Sequence, residues 1–379
     1  MSASKSTKRI LKMILISILS LVAFILLAVI LFINLSPEFG DAPSKEDLKE
    51  YGTSPQLEEE QFQNTQETVV MKNTDWGRVG GYFTTGNKAP NWSIPVVKLE
   101  DGYFAKKKDS TTRLTWFGHS AVLLEISGKK IFIDPMLGKV PAPHPLLGGS
   151  RFNDTLPMSI DKLPNLDAVL ISHDHYDHLD YGSIQALKDK VAMFYVPLGI
   201  KSHLESWEVP SDQITELDWW EEIQIEDIQL IATPARHFSG RGLNDRYKTL
   251  WCSYVIKNKT DAIYFGGDSG YDTHFKEIGE KYGPFDLAML ECGQYDEQWP
   301  EIHMMPEQTI QAAIDLKSKL MMPIHWGSFK LALHDWKEPI ERAVIEAKKR
   351  NVKLVTPITG ESILLHQQIP QSNWWLRKE

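Results

Sequence analysis

The sequence predicts an α/β chain, two β-sheets with helices packed outside them, preceded by one membrane-length helix. Three observations predict it. Short apolar runs come first as a meander and later alternate with helical patterns, the order that two helix-covered sheets produce. Residues 13–35 form a stretch of 23 residues without a charge. The cluster His173-Asp174-His175-Tyr176-Asp177-His178 directly follows the apolar run 166–171, so one strand ends in metal-ligating side chains.

The elements follow in chain order. Lys5, Lys8, Arg9 and Lys12 precede the uncharged stretch. A helix rising ~1.5 Å per residue over that length crosses the ~30 Å hydrocarbon core of a bilayer. Basic residues before it and a mostly acidic segment after it favour the N-terminus inside and the bulk of the chain outside, a single-pass cell-membrane protein. The competing reading is a cleaved signal peptide. Its apolar region runs about 7–15 residues and ends in small residues, unlike this longer run ending Asn34-Leu35-Ser36-Pro37. An uncleaved anchor over 1–36 is therefore expected. Residues 37–75 are polar and acidic, with Glu58-Glu59-Glu60, and read as a linker or loosely attached arm. Residues 76–379 hold the domain. Strands are expected at 114–117, 121–126, 130–134, 168–172, 192–196, 228–233, 253–256, 262–265, 287–290, 321–324 and 353–355. Helical patterns cover 182–190, 307–319 and 339–349.

Composition narrows the function. A chain of 379 residues, 42% hydrophobic, is ample for a large core. Its net charge of −9 repels polyphosphate, which argues against nucleic acid as a partner. The two cysteines, Cys252 and Cys292, exclude a disulfide scaffold and lack the spacing of a thiolate metal site. Any metal is held by nitrogen and oxygen.

Three further apolar runs end in a ligand-type residue beside small ones: 230–234 leads to His237, 262–265 to Asp268, and 320–324 to His325. With His173, His175, Asp177 and His178 they make seven nitrogen and oxygen ligands. That is too many for one tetrahedral zinc and suits two metals sharing a carboxylate and a water. A lone histidine at a strand end is ordinarily a hydrogen-bonded core or surface residue. His144, His203, His274, His334 and His366 are read that way, and Asp134, Asp180, Asp261 and Asp286 as caps or turn residues.

This ordered set resembles the ligand set of the metallo-β-lactamase superfamily, and within it the N-acyl-phosphatidylethanolamine phospholipase D family. The closer resemblance rests on Trp116-Phe117-Gly118-His119-Ser120, residues 170–179 with Asp180-Tyr181, and Leu217-Asp218-Trp219-Trp220-Glu221-Glu222. It continues through residues 267–271, Gly283-Pro284-Phe285-Asp286-Leu287-Ala288 and Ile324-His325-Trp326-Gly327. It covers about residues 75 to 375. The chain departs from the mammalian members in its hydrophobic span and in Cys292-Gly293-Gln294-Tyr295, where the family pattern is more apolar. The resemblance implies an αββα sandwich with a dinuclear zinc centre at the sheet edges, two Zn²⁺ per chain. Carried over by position, His173, His175 and His237 would hold one zinc, Asp177, His178 and His325 the other, and Asp268 would bridge. His303 matches a histidine that the family places beside the metals.

The expected roles follow. Asp177 would accept a hydrogen bond from the attacking water, and His303 would stabilise charge or protonate the leaving alkoxide, the competing role for His303 being structural. Asp134 would receive the second N–H of a ligand imidazole, and His119 would orient the same group of side chains. Trp219, Trp220, Trp299 and Trp326 are each read as core or as lipid contact. The expected activity is that of a membrane-anchored zinc phosphodiesterase resembling phospholipase D on N-acyl-phosphatidylethanolamine. The alternatives are a lactonase or general small-molecule phosphodiesterase on the same centre, and a non-catalytic binding protein. The expected partners are a phospholipid or other diester and, through the helix, the membrane; a homodimer is compatible with the sequence and is not decided by it.

Overall fold

The computed structural model describes residues 5–72, 88–105, 111–153, 155–367 and 369–376, so the expected domain boundary at 75/76 lies outside the described residues. A helix at Lys5–Leu35 opens the chain, and within it Ser6–Leu35 is long and apolar enough to cross a membrane, its side chains facing outward. The short hairpin β1 (Leu57–Glu58) and β2 (Gln61–Phe62) follows a helix at Lys45–Glu50.

One sheet holds β3 (Arg113–Gly118), β4 (Ala121–Ile126), β5 (Lys129–Ile133), β6 (Ala168–Leu170), β7 (Phe194–Pro197), β8 (Ile214–Leu217) and β15 (Ser362–Leu364). Its order is β15-β3-β4-β5-β6-β7-β8, antiparallel as far as β5 and parallel beyond it. The other holds β9 (Glu222–Ile225), β10 (Ile228–Thr233), β11 (Ser253–Lys257), β12 (Ala262–Phe265), β13 (Leu287–Glu291) and β14 (Met321–Ile324). Its order is β14-β13-β12-β11-β10-β9, parallel only from β12 to β14.

Side chains alternate across each strand, and those of the central strands are buried on both sides. Val122, Leu124, Ile131 and Ile133 meet Leu230, Tyr254, Phe265 and Met289 of the second sheet in one core. On the outer face of the first sheet, Leu123, Phe132 and Val169 pack with Ile184 and Leu187 of the helix Tyr181–Leu187 and Leu204 of Ile200–Ser206. On the outer face of the second, Val255, Tyr264 and Ala288 pack with Ile278 of His274–Lys281, Ile310 of Pro306–Asp315 and Ala343 of Glu338–Arg350. The architecture is the αββα sandwich.

Two expectations meet a different outcome. Residues 353–355 form no strand: Leu354 makes a single parallel bridge to Met321. Met321 donates to Lys353 O on that side of β14, and two residues on, Pro323 has no N–H with which to continue the ladder. The arm 37–72, read as loosely attached, is packed down. Leu48 and Phe62 are buried with the central core, Tyr51 Oη donates to Glu216 at 2.9 Å, and Phe62 N donates to Tyr247 O at 2.8 Å. A few well-spaced apolar side chains suffice to seat an otherwise acidic segment.

Candidate metal centre

The ligand-type residues sit where strands end on one edge of the sandwich. β6 runs into Ser172–His178, β10 into His237, β12 into Asp268 and β14 into His325; the β3–β4 turn supplies His119 and the end of β5 supplies Asp134. Gly267 lets β12 turn at φ +57°, and a Cβ there would stand 2.9 Å from Ser172 Cβ. His119, Asp134 and His325 also take left-handed φ values of 53°, 42° and 64°. Each such non-glycine conformation costs about 1–3 kcal/mol and persists where surrounding contacts over-determine it.

The structure brings all seven expected ligands together in two groups. His173 Nε2 and His237 Nε2 stand 3.0 and 3.1 Å from His175 Nδ1. Asp177, His178 and His325 form the second group, joined by His119, whose Nε2 lies 2.9 Å from Asp177 Oδ2. Asp268 stands between them: Oδ1 is 3.2 Å from His178 Nε2, and Oδ2 is 3.2 Å from His325 Nε2 and 3.9 Å from both His173 and His237 Nε2.

Hydrogen bonds on the far sides of the rings test whether this set fits a cation. His237 Nδ1 is 3.0 Å from the carbonyl of Ile302, which only accepts, so that nitrogen donates. Ser172 Oγ donates to Asp134 Oδ2 at 2.6 Å and therefore accepts from His173 Nδ1 at 2.9 Å. Asp134 Oδ2 also takes the Nδ1 proton of His178 at 2.6 Å, while Ser120 Oγ engages His325 Nδ1 at 3.3 Å. Neutral His173 and His237 thus present lone pairs at Nε2, and His175 Nδ1 faces both with at most one proton. Two ligands of one tetrahedral ion are about 3.3 Å apart at ~2.0–2.1 Å zinc–nitrogen distances. His178 Nε2 and Asp268 Oδ1 are buried facing each other at 3.2 Å, with no other hydrogen-bond partner. Lone pairs converging at this spacing, with outer atoms engaged by oxygen, are the pattern of a metal-ligating imidazole set, and the residues fit divalent ions.

The charges agree. Burial lowers the basicity of His173, His237 and His325 well below the usual imidazole range and brings His175 and His119 to about 4, so these rings are neutral at physiological pH. Burial opposes protonation of His178 too, yet the carboxylates of Asp268, Asp177 and Asp134 hold its pKa well above 6.5. Burial raises Asp268 to about 6 against the pull of His178. The centre demands positive charge, and ions and protons compete to supply it. Ion affinity should therefore fall as pH drops through about 6, where Asp268 takes up its proton, and binding at neutral pH should release a proton from His178. Calorimetry in buffers of different ionisation enthalpy checks this; ion binding without proton release would contradict it.

Above Asp268 opens a cleft of about 190 Å³, walled by Val70, Met71, Phe238, Trp299 and Leu331 and floored by His175, Asp177, His303 and His325. Of the other tryptophans considered, Trp219 and Trp326 are buried in the core and Trp220 packs beside it. Sequence reasoning missed Glu291, which is wholly buried at the end of β13. Its Oε2 lies 3.1 Å from His303 Nδ1, and its Oε1 accepts from Met304 N at 2.7 Å. The signal was present, since Glu291 ends an apolar run as Asp268 does. Asn64 was missed too: it holds the backbone of His237 through both N–H and carbonyl, at 3.1 and 2.7 Å. Among the residues read as structural, Asp180 caps the helix Tyr181–Leu187 through Ser183 N, and Cys252 and Cys292 are free and buried.

Comparison with known proteins agrees with this geometry. The family model described as the beta-lactamase superfamily domain matches residues 129–326, a span holding all seven residues expected as ligands. An uncharacterized protein of Mycobacterium tuberculosis is 42% identical over 270 residues, 70% of this chain and 72% of that one. The N-acyl-phosphatidylethanolamine-hydrolyzing phospholipase D 1 of Caenorhabditis elegans is 32% identical over 256 residues, 64% of this chain and 71% of that one. The solved structure of Igni18, a metallo hydrolase of Ignicoccus hospitalis, shares the fold with a TM-score of 0.52 at 24% identity, covering 68% of this chain and all of that one. Strand-end histidines and aspartates on an αββα sandwich, the matched domain and these relatives show one thing: the chain belongs to the β-lactamase superfamily, as a metallo-hydrolase related to the N-acyl-phosphatidylethanolamine-hydrolysing phospholipases D.

Proposed function

We propose that this chain is a membrane-anchored dinuclear zinc phosphodiesterase that cleaves N-acyl-phosphatidylethanolamine in the manner of a phospholipase D. Water oxygen adds to phosphorus, the P–O bond to the headgroup breaks, and phosphatidic acid and an N-acylethanolamine leave. His173, His175 and His237 would hold one ion, Asp177, His178 and His325 the other, with Asp268 between them. When bound, the ions acidify water and offset charge on the phosphoryl oxygens.

The chain's own residues supply the rest. Asp177, fixed by His119, accepts a hydrogen bond from the attacking water and aims it. His303 faces the cleft and donates a hydrogen bond to the leaving oxygen, offsetting the charge that grows there. Asp134 and Ser172 fix which nitrogen of His178 and His173 faces inward. The observation that carries the substrate class is the apolar wall of Val70, Met71, Phe238, Trp299 and Leu331 on the same cleft as Asp268 and His303. Such a wall suits acyl chains beside a diester. The helix Lys5–Leu35 would attach the protein to the cell membrane with the domain on the extracytoplasmic side, since the chain's negative charge gives no general attraction to anionic lipid.

The full chain in detergent should be assayed on N-acyl-phosphatidylethanolamine in ¹⁸O-water, on bis-p-nitrophenyl phosphate and on an acyl-homoserine lactone. We expect ¹⁸O in phosphatidic acid, loss of turnover on chelation, and recovery with about two zinc ions per chain. Turnover of the lactone alone would overturn the lipid reading.

A further inference from the structure

We propose that the loop 139–151 is a phospholipid-docking device: its tip enters the bilayer beside the anchor, and the cavity at its base takes the phosphate of a phospholipid headgroup. The proposal rests on the anchor reading above and concerns a place apart from the metal cleft.

The loop is closed at its base, where Arg151 N donates to Lys139 O at 2.8 Å. Its tip is the turn Pro145–Leu147, and Leu146 is 88% exposed, more than any other large apolar side chain among the described residues; Leu147 is 63% exposed. The tip already meets the apolar helix, with the His144 ring set edge-on to Phe32 at 6.0 Å. That meeting is held from both sides. Just beyond the helix, Trp207 Nε1 donates to Pro37 O at 2.7 Å and Arg241 Nε to Glu38 O at 3.0 Å, while Arg241 Nη1 donates to Leu179 O at 2.8 Å. The exit of the anchor is thus bolted to the loop that carries the histidine cluster. An apolar tip fixed at the end of a membrane-length helix sits at the depth where that helix leaves the bilayer, and two exposed leucines there gain by entering it.

The base has the opposite character. A cavity of about 500 Å³ is lined by Lys98, Lys139 and Arg151, with no carboxylate among the described lining residues, in a chain of net charge −9. Arg151 gives Nε and Nη2 to the carbonyls of Gly138 and Met136 at 3.2 and 2.6 Å and lies over the Phe329 ring at 4.5 Å. Its Nη1 is buried without a hydrogen-bond partner. The carboxylate of Asp180, whose charge acts on Arg151, is already occupied by the N–H and hydroxyl of Ser183. Cations at the base and leucines at the tip reproduce the layering of a lipid leaflet, phosphate outside and acyl chain inside. A lipid phosphate meets both; a free phosphate meets only the cations.

Two measurements on the full chain test this. In phosphatidylcholine nanodiscs, an environment-sensitive dye is placed by Leu27→Cys, Leu146→Cys or Ile345→Cys, the native cysteines being buried. Spin-labelled lipid should quench the dye at 27 and 146 and leave 345 bright. Quenching at 27 without 146 overturns the docking loop and leaves the anchor standing; no quenching at 27 overturns the anchor reading and this proposal with it. In a phosphate-free detergent, dihexanoylphosphatidylglycerol should bind about tenfold more tightly than inorganic phosphate, and Lys98→Ala with Lys139→Ala should weaken it by about tenfold. Both lysines are exposed, and bis-p-nitrophenyl phosphate hydrolysis by that variant should match the parent. Equal affinity for inorganic phosphate, or lipid binding unchanged in the variant, overturns the headgroup site.

Discussion

Asp268→Asn is expected to abolish turnover and to strip the centre of ions while leaving the chain folded. Each oxygen of Asp268 faces a different imidazole, His178 at 3.2 Å and His325 at 3.2 Å, and Oδ2 also reaches toward His173 and His237 at 3.9 Å. Asparagine has the same shape but replaces one oxygen by an amide nitrogen that only donates. Turned one way, that nitrogen confronts the charged His178; turned the other, it occupies His325 Nε2 in place of an ion. The negative charge shared by both groups is also lost, and His178, held protonated partly by that charge, loses one of its three carboxylates. The rate should fall by at least about 10²–10³, the scale seen when one preorganised electrostatic partner is removed. Initial rates on bis-p-nitrophenyl phosphate, ions per chain by elemental analysis and thermal unfolding are the readouts. A variant with parental rate and parental metal content would remove Asp268 from between the two groups.

The central strands were legible because they are buried on both sides. Ala121–Ile126, Ile228–Thr233 and Ala262–Phe265 are apolar at nearly every position, and a covered sheet writes itself as a continuous run. The strands that escaped sequence reasoning lie at sheet edges. β9 has Glu222 and Gln224 facing solvent, β8 carries Glu216, and β15 has only Ile363 fully buried. Charged, short edges guard a sheet against pairing with other chains, and the same charges erase its strand signature. The arm failed for a related reason. Its composition is that of a linker, yet Phe62 is wholly buried, because a single aromatic finds its pocket only in three dimensions.

The centre was legible because chemistry restricts it more tightly than packing restricts an edge strand. His173, His175, Asp177 and His178 arrive within six residues, and His237, Asp268 and His325 each close an apolar run. Outer partners carry no such mark. Ser172, Ser120 and Asn64 are ordinary residue types, and nothing in their spacing says that they hold His173, His325 and His237. Asp134, expected beside an imidazole, lies 2.6 Å from His178 Nδ1, yet which imidazole it serves needed the fold.

Glu291 is where a residue that sequence reasoning passed over should have the second large effect. Its carboxyl is wholly buried, and burial raises its pKa well above the usual range against the bond from Met304 N, which favours its protonated form. Burial likewise lowers the basicity of His303. A protonated Glu291 donates to His303 Nδ1 across 3.1 Å and leaves the imidazole proton on Nε2. That tautomer turns an N–H toward the leaving oxygen, so His303 offsets the charge growing there by a hydrogen bond, and water supplies the proton of the departing alcohol. Glu291→Gln can still donate from its amide, so most of the activity should remain. Glu291→Ala cannot, and kcat should fall by about 10²-fold, the scale of one lost donor to a developing negative charge. The alanine variant also leaves Met304 N without its acceptor, at a stability cost of about 1–3 kcal/mol, so thermal unfolding must accompany the kinetics. Glu291 acts through His303 and not on the substrate. Substrates with a leaving group such as p-nitrophenol, whose ring already spreads the charge, should therefore lose much less than lipid headgroups. Equal losses on both, or a glutamine variant as slow as the alanine one, would show that Glu291 merely fills space behind the centre.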